Sequence, residues 1–422
     1  MREGILDRIV VTGGKKLSGT VQISGSKNAA LPMMAAAILP SGQTRLSNVP
    51  LLKDIHTFSD VLRVLGARVE KRGHSIDIDA SGISHLEAPY ELVRTMRASI
   101  YVLGPLLARF GRARVSLPGG CALGPRPVNL HIKAMRALGA RVDIQHGYIV
   151  ARAKKLRGAV IDFDISSVGA TANAMMAATL ATGATRIQNA AREPEIVALG
   201  KMLTAMGASI TGIGSHTIDI QGVGELQAVR RRVIADRIEA GTFMVAAAIT
   251  AGKVTLKGVH YDHLSAVIGK LQEAGVKVSR GDGYLVISGA VPLRPVDITT
   301  APYPGFPTDL QAQFMTLLGL VPGTSLITET IFPDRFTHVP ELRRLGMNIK
   351  LDGNVAVITG VKGCSGAPVM ASDLRASAAL VLAGLIAGGQ TDVLRIYHID
   401  RGYERIEDKL RSLGADIRRV RQ

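Results

Sequence analysis

The chain has 422 residues, 47% of them apolar and 20% charged, the composition of a globular protein long enough for two cores. Two cysteines exclude a disulfide framework, and the longest apolar run, ASAALVLAGLIAGG, is too short to span a bilayer. The excess of 51 Lys+Arg over 34 Asp+Glu, a formal charge of +17, points to anionic partners, while 4% aromatic residues and no tryptophan speak against a stacking platform for nucleic acid.

Small phosphorylated molecules are therefore the expected partners, with no nucleic acid and no membrane. A reducing, cytoplasmic compartment is the expected location, since the opening MREGILDRIVV carries no signal-peptide core. The densest basic run, RRR at 230–232, is short for a nucleic-acid tail.

In chain order, one phrase recurs six times. It reads VLGARVEKRGHSIDI, ALGARVDIQHGYIVA, AMGASITGIGSHTIDI, EAGVKVSRGDGYLVI, RLGMNIKLDGNVAVI and SLGADIRRV. Its glycines, Gly66, Gly139, Gly207, Gly275, Gly346 and Gly414, recur about every 70 residues, so six units account for the chain. In each, an amphipathic helix ends at the glycine, which suits a left-handed C-cap, and a strand–turn–strand follows. Upstream lies a helix with no polar face, such as MMAAAIL at 33–39, MMAATLA at 175–181 or FMVAAAI at 243–249, which belongs in an interior. A strand such as TRLSNV, TRIQNA or KVTLKGV joins the two helices.

The unit reads βαβαββ, and the fold class is α/β. Three units close around three apolar helices to make one domain, so six make two. The first is expected over residues 27–234. The second is discontinuous, residues 1–26 and 235–422, because the first strand must close the last repeat.

The repeat also aligns polar residues. The apolar helices begin at Lys27 and Asn28, Arg97, Ser167-Val168-Gly169, Asp236-Arg237, Asp309 and Arg375. The links into the second helices carry Lys53, Arg126, Arg192-Glu193, Tyr261, Arg335 and Arg401. Helix N-termini present free N–H groups and partial positive charge, which suits anions. One loop stands out. VSLPGGCALGPRPV sets Cys121 among glycines and prolines beside Arg126, where neither helix nor central strand forms. Other signals are weak. GGKKL at 13–17 lacks P-loop spacing, HYDH at 260–263 lacks a third metal ligand, and Cys364 reads as a packed residue.

The stretches ISGSKNAALP, TMRAS, LPGGCALGPRPVNLHI, SSVGAT, AAREPEI, ADRIEAGTF, PGFPTDLQAQ, ETIFPDRFTHVPEL, DLRASAALVLAG and IYHIDRGYERIEDKL closely resemble the UDP-N-acetylglucosamine 1-carboxyvinyltransferase family of enolpyruvyl transferases, in order, over residues 23–409. The resemblance implies a two-domain inside-out α/β barrel, three βαβαββ units per domain, with the substrates between the domains. It implies transfer of the enolpyruvyl group of phosphoenolpyruvate to the 3-hydroxyl of UDP-N-acetylglucosamine, the opening of peptidoglycan synthesis, with no metal and no organic cofactor.

By the same resemblance Cys121 is the proton-donating cysteine that fosfomycin alkylates. Lys27, Arg126 and Arg401 cradle the phosphate of phosphoenolpyruvate, and Arg335 and Arg375 meet its carboxylate. Asn28 and Asp309 fall near the sugar and its reacting hydroxyl, with Asp309 as proton acceptor. Arg97, Arg126, Pro127, Val128, Asn129, Leu130, Ser167, Val168, Gly169 and Ile331 grip the UDP-sugar. Asn129 stands where many relatives carry aspartate, and Ile165 where some carry lysine; neither change touches reacting atoms. A sister enzyme acting on shikimate 3-phosphate shares the repeat but lacks the glycine–cysteine loop. A nucleic-acid reading, suggested by the +17 charge, lacks basic clusters interleaved with aromatics.

Overall fold

The computed structural model describes residues 7–93, 96–117, 128–289 and 292–421. The chain forms two compact units, one of residues 1–24 and 235–422 and one of residues 25–234. The described residues form six four-stranded sheets, three per unit.

The sheets share one plan. In the fifth repeat, Ile298–Thr299 runs parallel to Thr324–Thr328, which is antiparallel to Val355–Thr359, which is antiparallel to Asn348–Asp352. The parallel first pair requires a helical crossover, and the apolar helix supplies it. All six repeat glycines have φ between 87° and 106°, the left-handed region expected where each amphipathic helix stops.

Three strands lie far in sequence from the sheets they complete. Arg8–Thr12 fills the last sheet between Gln390–Leu394 and Asp416–Val420, antiparallel to both. Ser18–Gln22 runs parallel to Lys253–Lys257. Arg230–Arg232, the basic run, is the first strand of the first repeat, parallel to Gln43–Ser47 and fully exposed. Three arginines on an edge strand discourage pairing with another chain.

The apolar helices form the two cores. Val168–Ala178 has small residues on every face, is buried from Ala170 onward, and is capped by Ser167, whose side chain accepts from the Ala170 amide at 3.3 Å. In the other unit Asp236 caps Arg237–Ile249 and Asp373 caps Leu374–Gly384, each carboxylate accepting two amides at 2.7–3.0 Å. Each sheet has four strands and none of those described closes on itself, so "barrel" describes sheets arranged about helices.

Gly25 lies where the chain enters residues 25–234. A Cβ there would sit 1.7 Å from the Asn48 carbonyl oxygen. The Asn48 side chain is itself tied down, its Nδ2 donating to Val233 O at 2.9 Å, and the Ser26 backbone amide donates to Ile234 O at 2.7 Å. Backbone meets backbone, so Gly25→Ala is expected to cost about 2–3 kcal/mol, read as a lower urea midpoint at unchanged slope. An unmoved midpoint would mean that the approach relaxes freely.

Candidate functional site

In the unit of residues 1–24 and 235–422, three of the expected residues meet. Asp309 lies in the 3-10 turn Thr308–Leu310 that leads into helix Gln311–Leu318. Arg335 follows the strand Thr324–Thr328, and Arg375 is the second residue of helix Leu374–Gly384. Arg335 Nη1 lies 2.8 Å from Asp309 Oδ1 and Arg375 Nη2 lies 2.9 Å from Oδ2. Both guanidinium groups are buried, while the Asp309 side chain keeps 27% exposure.

Burial alone would raise the Asp309 pKa. The charges of Arg375 and Arg335 outweigh it and hold the carboxyl well below the usual carboxylate range. Asp309 is therefore ionised throughout the physiological range, and one carboxylate neutralises half of a doubly positive pocket. The arrangement suits a second anion.

Arg375 is braced from behind. Its Nη1 donates to Tyr403 Oη at 3.2 Å, and that hydroxyl lies 2.9 Å from Thr242 Oγ1. Gln313 Nε2 lies within donating distance of both hydroxyls, at 3.2 Å, and of Asp309 O, at 3.1 Å. Tyr403 is fully buried, and burial pushes its hydroxyl pKa up, so it stays a neutral partner. Arg401 ends the 3-10 segment Ile396–Arg401 and is half-buried. Ile331 is half-buried in the turn after Thr328, its amide held by Glu329 Oε1 at 2.9 Å.

In residues 25–234, Lys27 is the first residue of helix Lys27–Ala36 and pairs with Asp54, Nζ to Oδ2 at 3.0 Å, both largely buried. Asn28 follows it, half-buried. Val128 precedes helix Asn129–Ala137, with Asn129 exposed and Leu130 buried. Ser167, Val168 and Gly169 open helix Val168–Ala178, and the two helix starts are linked by His131. The imidazole lies against Gly169 so closely that a Cβ there would stand 3.1 Å from Cε1 and Nε2. Asn173 Nδ2 lies 2.8 Å from His131 Nδ1 and 2.9 Å from Ile100 O, while its Oδ1 accepts from the Gly104 amide. Burial lowers the His131 pKa to about 4, so the ring is neutral and Nδ1 accepts. This node was not evident from sequence, because a lone His in an amphipathic helix and a lone Asn in an apolar one carry no spacing signal.

Cys121, Arg126 and Pro127 lie outside the described residues, as does the side chain of Arg97. Arg97 begins the 3-10 segment Arg97–Val102. Cys364 is buried and its thiol is pushed up to about 11, so it stays protonated near neutrality, as the reading of a packed residue requires. His260 and His263 stand with ring centroids 5.0 Å apart, and no group of three or more metal-binding side chains forms among the described residues. No described helix is long and apolar enough to cross a membrane.

A cavity of about 870 Å³ in residues 25–234 is lined by Arg109, Arg112, Lys154, Lys155 and Glu225 among others, and none of the expected site residues reaches it. Cavity size and chemistry thus point to different places, and the paired carboxylate and guanidinium groups are the better guide to reactivity.

The chain matches the family model described as EPSP synthase (3-phosphoshikimate 1-carboxyvinyltransferase) over residues 11–410. It is 56% identical over 417 residues to the UDP-N-acetylglucosamine 1-carboxyvinyltransferase of Geotalea uraniireducens, covering 99% of this chain and 100% of that one. The protein of the same name from Chloroherpeton thalassium is 56% identical, covering 98% and 97%. Among solved structures, the enolpyruvyl transferase NikO from Streptomyces tendae superposes with a TM-score of 0.90 at 28% identity, covering 99% of this chain and 100% of that one. EPSP synthase from Acinetobacter baumannii, at 19% identity and TM-score 0.77 with coverage of 98% and 100%, shares the fold.

Proposed function

The chain belongs to the EPSP synthase family of carboxyvinyltransferases, and from that premise we infer that it transfers the enolpyruvyl group of phosphoenolpyruvate to the 3-hydroxyl of UDP-N-acetylglucosamine and releases phosphate. This is the first committed step of peptidoglycan synthesis. The observation that carries the choice of acceptor is 56% identity along 99% of the chain to enzymes of that name; the glycine–cysteine loop in this sequence supports the same choice.

The chemistry requires a proton at C3 of phosphoenolpyruvate and an oxygen nucleophile at C2, and then loss of phosphate together with a proton from C3, which restores the double bond. Cys121 supplies the proton. Asp309 accepts the proton of the sugar hydroxyl as it attacks. Lys27, Arg126 and Arg401 stabilise the charge that gathers on the departing phosphate, and Arg335 and Arg375 hold the carboxylate. Asn28 positions the sugar. Arg97, Arg126, Pro127, Val128, Asn129, Leu130, Ser167, Val168, Gly169 and Ile331 hold the nucleotide sugar. The reaction needs no redox step. An unpaired, buried Cys364 fits a cytoplasmic enzyme.

The direct test is phosphate release. It is expected only when phosphoenolpyruvate and UDP-N-acetylglucosamine are both present. Release with shikimate 3-phosphate in place of the nucleotide sugar would overturn the acceptor. Within the assay, Arg126→Lys keeps the charge but loses the planar fork, and at least a tenfold fall in turnover is expected with the far-UV spectrum unchanged. Near-normal kinetics would remove Arg126 from the site.

A further inference from the structure

Glu329 is fully buried immediately after the strand Thr324–Thr328, and none of the roles above uses it. Its Oε1 accepts from Thr300 Oγ1 at 2.8 Å and from the amides of Ile331 and Phe332 at 2.9 and 3.0 Å. Its Oε2 accepts from Thr308 Oγ1 at 2.8 Å. Thr308 Oγ1 in turn accepts from Arg335 Nη1 at 3.0 Å, the same nitrogen that pairs with Asp309.

The direction of these bonds is fixed by chemistry. A carboxylate oxygen accepts, and the Thr308 hydroxyl gives its hydrogen to Oε2. Its lone pairs are then free to face a guanidinium, which only donates. A hydroxyl without that acceptor would rotate, and its hydrogen could point at Arg335.

We propose that Glu329 is a positioning residue for the reaction, orienting the Arg335 guanidinium through the hydroxyl of Thr308. The inference rests on the role given above to Arg335 at the phosphoenolpyruvate carboxylate. Oε1 anchors Glu329 to the turn, and Oε2 sets the polarity of the relay.

Two conservative variants test it. In Glu329→Gln the amide oxygen stays with the three donors on the Oε1 side, which leaves the NH2 facing Thr308 and reverses the polarity. Thr308→Val removes the relay at constant volume. Both are expected to raise KM for phosphoenolpyruvate about tenfold while KM for UDP-N-acetylglucosamine stays within about twofold, and the double variant is expected to be no worse than the poorer single one. An unchanged phosphoenolpyruvate KM in both single variants, with only a lowered melting temperature, would overturn the proposal, as would effects that multiply in the double variant. Arg335→Lys separates the two levels. If it leaves the phosphoenolpyruvate KM alone, the role of Arg335 fails. If it raises that KM and Thr308→Val does not, the relay fails.

Discussion

Cys121→Ser is expected to lose nearly all turnover, about 10²–10⁴-fold, whereas Cys121→Asp keeps a measurable rate with its optimum at lower pH. The reason is the proton that must reach C3 of phosphoenolpyruvate. A hydroxyl is far too weak an acid to give it up. A carboxyl can, but with an ordinary pKa of about 3.9 it is mostly ionised at neutrality, so activity follows its protonated fraction. A thiol near a guanidinium has its ionisation favoured, which keeps donor and nucleophile both accessible near neutral pH. Cys121→Asp is also expected to resist fosfomycin, having no thiolate to open the epoxide. If Cys121 only filled space, the order would invert: Ser would be the mildest change and Asp the worst. Cys364→Ser is the control. Its thiol, held at about 11 by burial, takes no part, and turnover is expected to persist. Phosphate release across pH separates the two orders, and a fully active Ser variant would sink the acid assignment.

The repeat was legible because it rests on backbone chemistry. A helix that stops at a left-handed residue asks for glycine, and six such glycines at one spacing mark six units. The interior helices were legible because they lack a polar face, and their caps, Ser167 and Asp236, stand where the repeat placed them. That Arg230–Arg232 forms a strand was not legible, because three residues carry no period and the partner strand Gln43–Ser47 lies far away in sequence. Arg335 and Arg375 were expected to face a substrate carboxylate; that they share Asp309 is a tertiary fact, joining three separate segments. Glu329 sits inside the quoted ETIFPDRF stretch, yet an exposed glutamate and a fully buried one look alike in a sequence. What escaped the sequence is thus a class of contacts, buried polar side chains satisfied by partners far along the chain.

Asp309→Asn is expected to lower kcat about 10²–10⁴-fold and, separately, to destabilise its unit by about 2–3 kcal/mol. The second figure lies below that for a fully buried pair because the carboxylate keeps 27% exposure. The stability loss has a pH signature. With its native pKa held well below the unfolded value of about 3.9, Asp309 contributes its full stabilisation above that pH, and the contribution fades as pH falls through the native value. The gap between wild type and variant should therefore be full near neutrality, begin to narrow below about pH 4, and close only where Asp309 is protonated in the native state as well. The kinetic loss has another origin. A carboxylate held so low by two guanidinium groups is a poor proton acceptor while they remain on it. On the proposed roles, the carboxylate of phosphoenolpyruvate draws on the same two arginines, and each contact it takes from Asp309 raises that side chain's affinity for the sugar proton. Asparagine can fill the space and accept a hydrogen bond, but it cannot take the proton. Assayed well below its melting temperature, the variant should stay inactive with both substrates saturating. Normal turnover beside the stability loss would leave Asp309 as the counter-ion of Arg335 and Arg375 and nothing more.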